Sequence, residues 1–377
     1  TAFIAYTIKG WGTPLAGHKD NHAGLMTKAQ MNSFKSKYGI SDGNEWHRFS
    51  DEKNNIELDQ YIKNLPFQKA KHRKFQSKKV SVDENVFIKE TKISTQNAFG
   101  KILDQYAKNN TDFSQRILTT SPDVSVSTNL GPWINRKGLF SRKDGSDTFK
   151  DRKIPSAQKW IFSSQGQHIE LGIAEMNLFL MLGAAGLSHE FFGERLFPIG
   201  TVYDPFISRG LDAMNYACYQ DARFMIVGTP SGISLAPEGG AHQSIGTPLI
   251  GISQPGLLSF EPAFADELAL IMNYGFNYLQ DEAGGSIYLR LTTRSIDQPM
   301  REIDNELKNN IIKGGYWLKK PGPNPEVIIV YQGAVAIEAI ESTALLGEKF
   351  KNSGVLSITS SDKLFHEWKP SMANFSS

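Results

Sequence analysis

The sequence predicts an α/β protein with a mostly parallel sheet. Short strand-like runs such as RLFPIGT (195–201), ARFMIVG (222–228) and GSIYLRL (285–291) alternate with longer segments of helical apolar spacing, the pattern of β-α-β units. Glycine-rich polar loops open after several of these runs, where open α/β sheets place their ligands. A third observation is the stretch Gln165–Leu187, in which apolar residues at 171, 173, 176 and 178–182 cover most of a helix circumference. Such a helix is expected to lie between layers of the fold.

A chain of 377 residues with 40% hydrophobic content has room for two or three domains with substantial cores. The formal charge of +2 is close to neutral and gives no support for a nucleic-acid or membrane-surface partner. Cys218 is the one cysteine, so no internal disulfide is possible; core filling on a helix suits it, and the count suits a reducing cytoplasm. No apolar run is long enough to span a bilayer, and no signal peptide is evident.

Taken in order, TAFIAYTIKG (1–10) reads as a buried strand, so the chain is expected to be a piece of something longer. Residues 12–30 form a polar loop with His18 and His22 four apart, either a mobile functional loop or a solvated one with incidental histidines. Zinc binding by the pair is disfavoured, because the remaining ligand spacings are empty. Thr27 caps an expected helix to Tyr38, and residues 41–83 read as polar linker with a basic run, KAKHRKFQSKK, at 69–79. Ser94-Thr95 caps a helix over Gln96–Ala107, a strand follows at Ile117–Thr120, and Asp123 sits in the loop SPDVSVSTNLG, where an Asp often caps. Residues 138–156 read as a charged surface excursion.

Glu175 is the one carboxylate inside the apolar helix pattern that follows the short polar approach of this stretch. Either it caps a neighbouring helix or pairs with an arginine, or its burial tunes it for proton chemistry. Beyond it, YDPFISRGLDAMNYACYQ (203–220) predicts a turn and a helix. Tyr203 and Phe206 there are suited to core packing or to stacking on a flat ring. The strand at 222–228 opens into TPSGISLAPEGGAHQSIGTP, where Gly-Gly-Ala separates Glu238 from His242 and allows close backbone approach to a ligand. A helix over Ala263–Tyr274 and a strand over Gly285–Leu291 complete this part. Residues 297–309 read as a linker. Strands at Ile311–Leu318, Glu326–Tyr331 and 355–360 with a helix at Ala334–Leu346 begin a further α/β unit, expected to be incomplete and weakly stable.

GIAEM resembles the GI-x-E segment of the thiamine-diphosphate enzymes of the transketolase superfamily, which implies that Glu175 contacts the aminopyrimidine ring. A carboxyl group there promotes the imino tautomer through which the cofactor's own amine takes the proton from its reactive carbon. SPDVSVSTNLG resembles a superfamily loop with one residue extra, implying that Asp123 lies near cofactor and subunit interface. AYTIKGWG resembles the last strand of the diphosphate-binding domain of homodimeric bacterial pyruvate dehydrogenase E1 components. In those enzymes the following loop supplies an active-site histidine, matched better by His22 in KDNHAG than by His18. Tyr203 and Phe206 match aromatics that wall the aminopyrimidine, and E-G-x-x-H matches Glu238 and His242, although the HQ at 242–243 follows the transketolase group.

The resemblance covers nearly the whole chain and implies a thiamine-diphosphate-binding α/β fold, with residues 86–300 as the pyrimidine-binding domain. Residues 1–40 would then end a diphosphate-binding domain, 41–85 would be linker, and 301–377 would begin a C-terminal α/β domain. The implied reaction is decarboxylation of a 2-oxoacid, pyruvate by preference, and reductive acylation of a lipoyl group on an acyltransferase (E2) partner, by a cytoplasmic homodimer. Glu175 would activate the cofactor, His242 and Glu238 handle substrate, and His22 serve the lipoyl step. The cofactor would come with Mg²⁺, whose ligands are expected in the diphosphate-binding domain: its GDG motif is not found here, and Asp42-Gly43-Asn44 lacks the leading Gly. A ketol transferase of the transketolase or deoxyxylulose-phosphate synthase type is the alternative, with Arg290 and Arg294 as phosphate-binding candidates. An inactive fragment holding half a site is the other.

Overall fold

The computed structural model describes residues 3–47, 53–69, 75–84, 86–143, 145, 151–347 and 349–375. The chain divides into two compact units, Thr1–Arg73 and Lys74–Ser377.

In the first unit the helix Lys28–Lys37 starts where its cap predicts. The Gln30 N–H donates to Thr27 Oγ1 (3.2 Å) and the Thr27 N–H to Gln30 Oε1 (2.8 Å), so two end groups satisfy each other. The strand expected at 1–10 is not formed: residues 3–8 carry no regular structure, and Ile4 and Tyr6 are fully exposed. An extended segment becomes a strand only when a neighbour takes its backbone hydrogen bonds. The expected linker also contains a helix, Asn55–Asn64, and a turn of helix, Pro66–Lys69. Of the basic run, 70–74 lie outside the described residues. The following residues, in the second unit, are largely exposed, as expected, but are tied to it at points. Phe75 N–H donates to Glu190 O, Lys79 Nζ lies 2.9 Å from Asp281 Oδ1, and Val80 N–H donates to Gln280 Oε1 at 2.7 Å.

The second unit is built on eight parallel strands: β2 (Ile117–Ser121), β3 (Leu139–Phe140), β4 (Phe162–Ser163), β5 (His168–Glu170), β6 (Phe197–Val202), β7 (Met225–Gly228), β8 (Leu257–Phe260) and β9 (Ser286–Arg290). They lie in the order β4-β3-β5-β2-β6-β7-β9-β8. β6, β7 and β9 are buried at every residue, as parallel strands covered on both faces must be. On one face the helices Thr95–Asn109 and Ala265–Tyr278 close a core in which the rings of Tyr106, Phe113, Phe197 and Phe276 meet edge to face at 4.9–5.9 Å. On the other, the helix Glu175–Gly186 crosses β6 so closely that a side chain on Gly200 would lie 2.7 Å from Leu182 Cδ1. Cys218, on the helix Leu211–Tyr219, is buried on this face and its thiol is pushed up to about 12 by loss of solvent.

Two expectations about the 165–187 stretch change. Its polar approach holds a strand, β5 at 168–170, and the helix begins at 175 rather than near 171, because Gly172 turns the chain at φ +67°. Glu175 is therefore the first helical residue rather than an internal one. The helix is buried on one side through Leu178, Phe179 and Leu182, but Met176 and Leu180 are exposed, so it is not enclosed between layers.

A short antiparallel pair, β1 (Lys92–Ile93) with β10 (Ile296–Asp297), precedes a three-stranded sheet in the order β11-β13-β12. β11 is Gly315–Lys319, β12 Ile328–Gln332 and β13 Gly354–Ile358. The expected 297–309 linker gives way to a helix, Asn305–Lys313, because Asp304 accepts the Leu307 N–H (2.7 Å) and caps it. This places Ile311 in a helix instead of a strand. The charged 138–156 stretch contributes β3, and its residues 144 and 146–150 lie outside the described residues. Among the described residues no helix is long and apolar enough to cross a membrane.

Candidate active site

The carboxyl ends of β5, β2, β6 and β7 lie along one edge of the sheet, and the chemistry-bearing residues gather above it. β6 delivers Tyr203, after which the chain winds into a tight 3₁₀ segment, Asp204–Gly210. Asp204 points back into the protein and is fully buried. It accepts hydrogen bonds from Ser244 Oγ, from Thr247 Oγ1 (2.6 Å), from the Tyr288 hydroxyl and from Arg290 Nη2 (3.3 Å). Gly228 at the end of β7 makes room, since a Cβ there would sit 2.3 Å from Asp204 Oδ1. Arg290 also pairs with Glu261. Burial opposes the Arg290 charge, yet Glu261 and Asp204 hold it protonated above the ordinary range. Burial and the Asp204 charge push the Tyr288 phenol well up, so it stays a donor.

Around this buried anchor stand five candidate groups. Glu175 is 8% exposed, and its Oε1 accepts from Arg209 Nη1 at 2.6 Å; Oε2 has no donor among the described residues. The structure thus realises the arginine-paired reading of this carboxylate. The Arg209 guanidinium lies over the Phe206 ring at 3.7 Å. Tyr203 and Phe206 are 5.9 Å apart, and the His242 ring lies 5.7 Å from the first and 5.5 Å from the second. His242 Nε2 is 3.8 Å from Glu238 Oε2, while its buried Nδ1 has no hydrogen-bond partner among the described residues. Glu175, Tyr203, Phe206, His242 and Glu238, which come from three segments, are thus brought into one group, with Arg209 joining carboxylate to aromatics. A half-buried pair of rings beside a carboxylate with one oxygen undonated fits a flat heteroaromatic ring with a basic nitrogen.

Asp123 stands apart from that group. It adopts a left-handed conformation (φ +66°) at the end of β2, and its N–H donates to Glu170 Oε1 at 2.8 Å. Glu170 Oε2 accepts from Ser125 Oγ (2.6 Å), and Ser125 Oγ in turn lies 3.0 Å from Nε2 of the fully buried His168. Burial would raise the Glu170 carboxyl, but the His168, Ser125 and Asp123 hydrogen bonds outweigh it and hold it below the ordinary value. His22 and His18 belong to the first unit. His22 Nδ1 lies 2.9 Å from Lys9 Nζ, and His18 Nδ1 accepts the Asp20 N–H at 3.1 Å. Arg290 is buried and committed to Asp204 and Glu261, whereas Arg294 pairs with Glu338 (2.6 Å) at the surface. Among the described residues no group of three or more His, Cys, Asp or Glu side chains could hold a metal ion.

Sequence reading missed Asp204, Arg209, Ser244, Thr247 and Tyr288. The signal for the first was present: an Asp-Pro immediately after a strand-end aromatic, where a carboxylate can turn inwards under a loop.

Residues 76–299 match the family described as the pyruvate dehydrogenase E1 component middle domain. The chain belongs to this family. The middle domain thus accounts for the eight-stranded sheet and the grouped residues, while the three-stranded sheet lies beyond it. The E1 component of Escherichia coli K12 is 25% identical over 279 residues, covering 72% of this chain and 31% of the relative. That of Buchnera aphidicola from Acyrthosiphon pisum is 25% identical over 390 residues, covering 97% and 43%. The chain therefore spans a third to under half the length of these relatives. Transketolases from Leishmania mexicana and Campylobacter jejuni share its fold, with TM-scores of 0.67 and 0.65 at 15% and 17% identity, over 94% of this chain and about half of each of theirs. The mainly parallel α/β architecture is that of the thiamine-diphosphate-binding, transketolase-like fold.

Proposed function

We propose that this chain carries the pyrimidine half of a thiamine-diphosphate site in a 2-oxoacid dehydrogenase E1 component, with pyruvate as substrate and a lipoyl group on an acyltransferase as acceptor. The observation that carries the reading is the juxtaposition of Glu175 with Tyr203, Phe206 and His242. When bound, the cofactor supplies the nucleophilic carbon that adds to the 2-oxo group. The free Oε2 of Glu175 would hold or move a proton at the aminopyrimidine nitrogen, while Arg209 keeps Oε1 occupied and fixes the carboxylate plane. Tyr203 and Phe206 would wall the ring and exclude water. His242, polarised by Glu238, would donate to the substrate carboxylate or the oxygen derived from its carbonyl. His22 is assigned to the lipoyl step, Asp123 to the cofactor's surroundings near the subunit interface.

The Mg²⁺ and diphosphate are assigned to a separate diphosphate-binding domain, on the strength of the family resemblance. A second copy of the chain completes the assembly in this reading, supported by the apolar side chains left exposed beside the site: Ile173, Leu180, Ile233 and Ile245. A cytoplasmic enzyme is in keeping with the single buried cysteine. The ketol-transferase alternative keeps Arg294 as a phosphate-binding candidate, while Arg290 is buried and paired with Asp204 and Glu261.

Calorimetric titration of the 377-residue chain with thiamine diphosphate and Mg²⁺, alone and with a diphosphate-binding domain from an E1 relative, tests the half-site. Weak binding alone and tight binding in the mixture are expected; a micromolar Kd for the chain alone would refute it. In the mixture, Glu175→Gln should lower pyruvate-dependent reduction of an artificial electron acceptor by about 10²–10⁴-fold. Turnover with ketose phosphates in place of pyruvate would transfer the assignment to the other branch.

A further inference from the structure

His242 sits in a stretch poorly equipped to hold it. Gly239 and Gly240 precede it, its Nδ1 has no partner among the described residues, and its nearest charged neighbour, Glu238, is 3.8 Å away and exposed. The ring is nonetheless placed against two aromatic rings. The loop is closed at its neck by a reciprocal pair, Gly232 N–H to Ser244 Oγ and Ser244 N–H to Gly232 O, both 3.0 Å. Below that neck a buried carboxylate, Asp204, joins the loop to the aromatic segment by hydrogen bonds. Asp204 lies between Tyr203 and Phe206 in the chain, and it accepts from Ser244 and Thr247, two and five residues after His242. Its other donors, Tyr288 and Arg290, belong to β9, so the anchor is fixed to the sheet.

A fully buried carboxylate is costly unless its lone pairs are taken and its charge is met. Here both conditions are fulfilled, and two of the donors come from the loop. Were the loop to lift away, Asp204 would lose two hydroxyl donors at once inside the protein, so the carboxylate resists any state in which His242 leaves its aromatic neighbours.

We propose that Asp204 is a positioning residue, a buried latch that holds the 231–247 loop down and thereby sets His242 against Tyr203 and Phe206. The role of His242 in substrate handling rests on the function proposed above; the latch itself does not.

The test uses the full chain without ligand. With ¹³C-labelled histidine, the His242 signal, assigned by its loss in His242→Gln, carries a ring-current displacement from Tyr203 and Phe206. The Ser244→Ala/Thr247→Ala double variant, which leaves the Asp204 contact with Arg290 intact, is expected to lose most of that displacement with its melting temperature close to the parent's. Thr247→Ser, which restores a hydroxyl, is expected to retain it. Asp204→Asn should behave like the double variant, and if it fails to fold the hydroxyl variants still decide. An unchanged His242 displacement in the folded double variant overturns the latch. In the reconstituted enzyme a raised KM for pyruvate should accompany the lost displacement. Lost displacement with unaltered kinetics would sustain the latch and remove His242 from substrate handling.

Discussion

At the scale of single residues, Glu170 shows how a side chain outside the grouped site can serve it. It takes hydrogen bonds from the Asp123 and Leu171 backbone N–H groups and from Ser125, tying the end of β2 to the turn that leads into Glu175. Its carboxyl is held below the ordinary 4.5. Because the folded form gives up the proton more readily than the unfolded form, this stabilisation is complete above about pH 4.5 and disappears as pH falls through the lowered folded value. Glu170→Gln should therefore flatten the acid side of a melting-temperature profile below about pH 4.5. A parent and variant that lose stability in parallel over that window would show that another group carries the acid sensitivity. Glu175 was legible in sequence through its motif, but its partner was not. Arg209 lies 34 positions away, and only the 3₁₀ winding of 204–210 turns its side chain back over Phe206.

Elements were read best where a local signal and a tertiary need coincide. Ser94 announces the helix Thr95–Asn109 and its Oγ accepts the Asn97 N–H at 3.1 Å. Ser94→Ala should cost about 1 kcal/mol, measured as a shift of the denaturant midpoint; no shift would mean that packing alone fixes the helix end. β6, β7 and β9 were visible as apolar runs because both of their faces are buried. β3, β4 and β5 were not, since two or three residues carry too little periodicity to register. β5 was read instead as the approach to a helix, because nothing before Gly172 marks where strand stops and turn begins. Residues 1–10 fail for the opposite reason: the composition suits a strand, but strand formation depends on a neighbour that composition does not specify.

At the scale of the molecule, the parallel sheet and its functional edge followed from the alternation of strands and helices, and the family match bears the fold out. The sequence leads one to expect the three-stranded unit to be incomplete and weakly stable. In the structure it is fastened to the larger sheet through buried polar groups: Glu261 N–H donates to Thr359 O (2.8 Å) and Ser259 N–H to Asp362 Oδ2 (2.9 Å). Tyr316 of β11 donates to the fully buried Glu267 and accepts from Arg301 Nη1 at 2.7 Å. Burial raises the Glu267 carboxyl, and Asp266 adds to the rise while Arg301 opposes it. Tyr316→Phe removes one of its donors and should destabilise the second unit by about 1–3 kcal/mol. If the two sheets form one cooperative body, calorimetry will show a single transition moved downwards; an early separate transition would instead restore the expectation of a weakly stable unit.

The state of Cys218 has a practical consequence. It is the one thiol in 377 residues, it is buried, and loss of solvent keeps it protonated far above neutral pH, where only a thiolate would react. The parent chain is in effect silent to maleimide dyes. A cysteine placed at an exposed position beside the neck of the His242 loop, as in Ile245→Cys, would then be the sole labelled position, and its fluorescence could follow the rise and fall of that loop in real time.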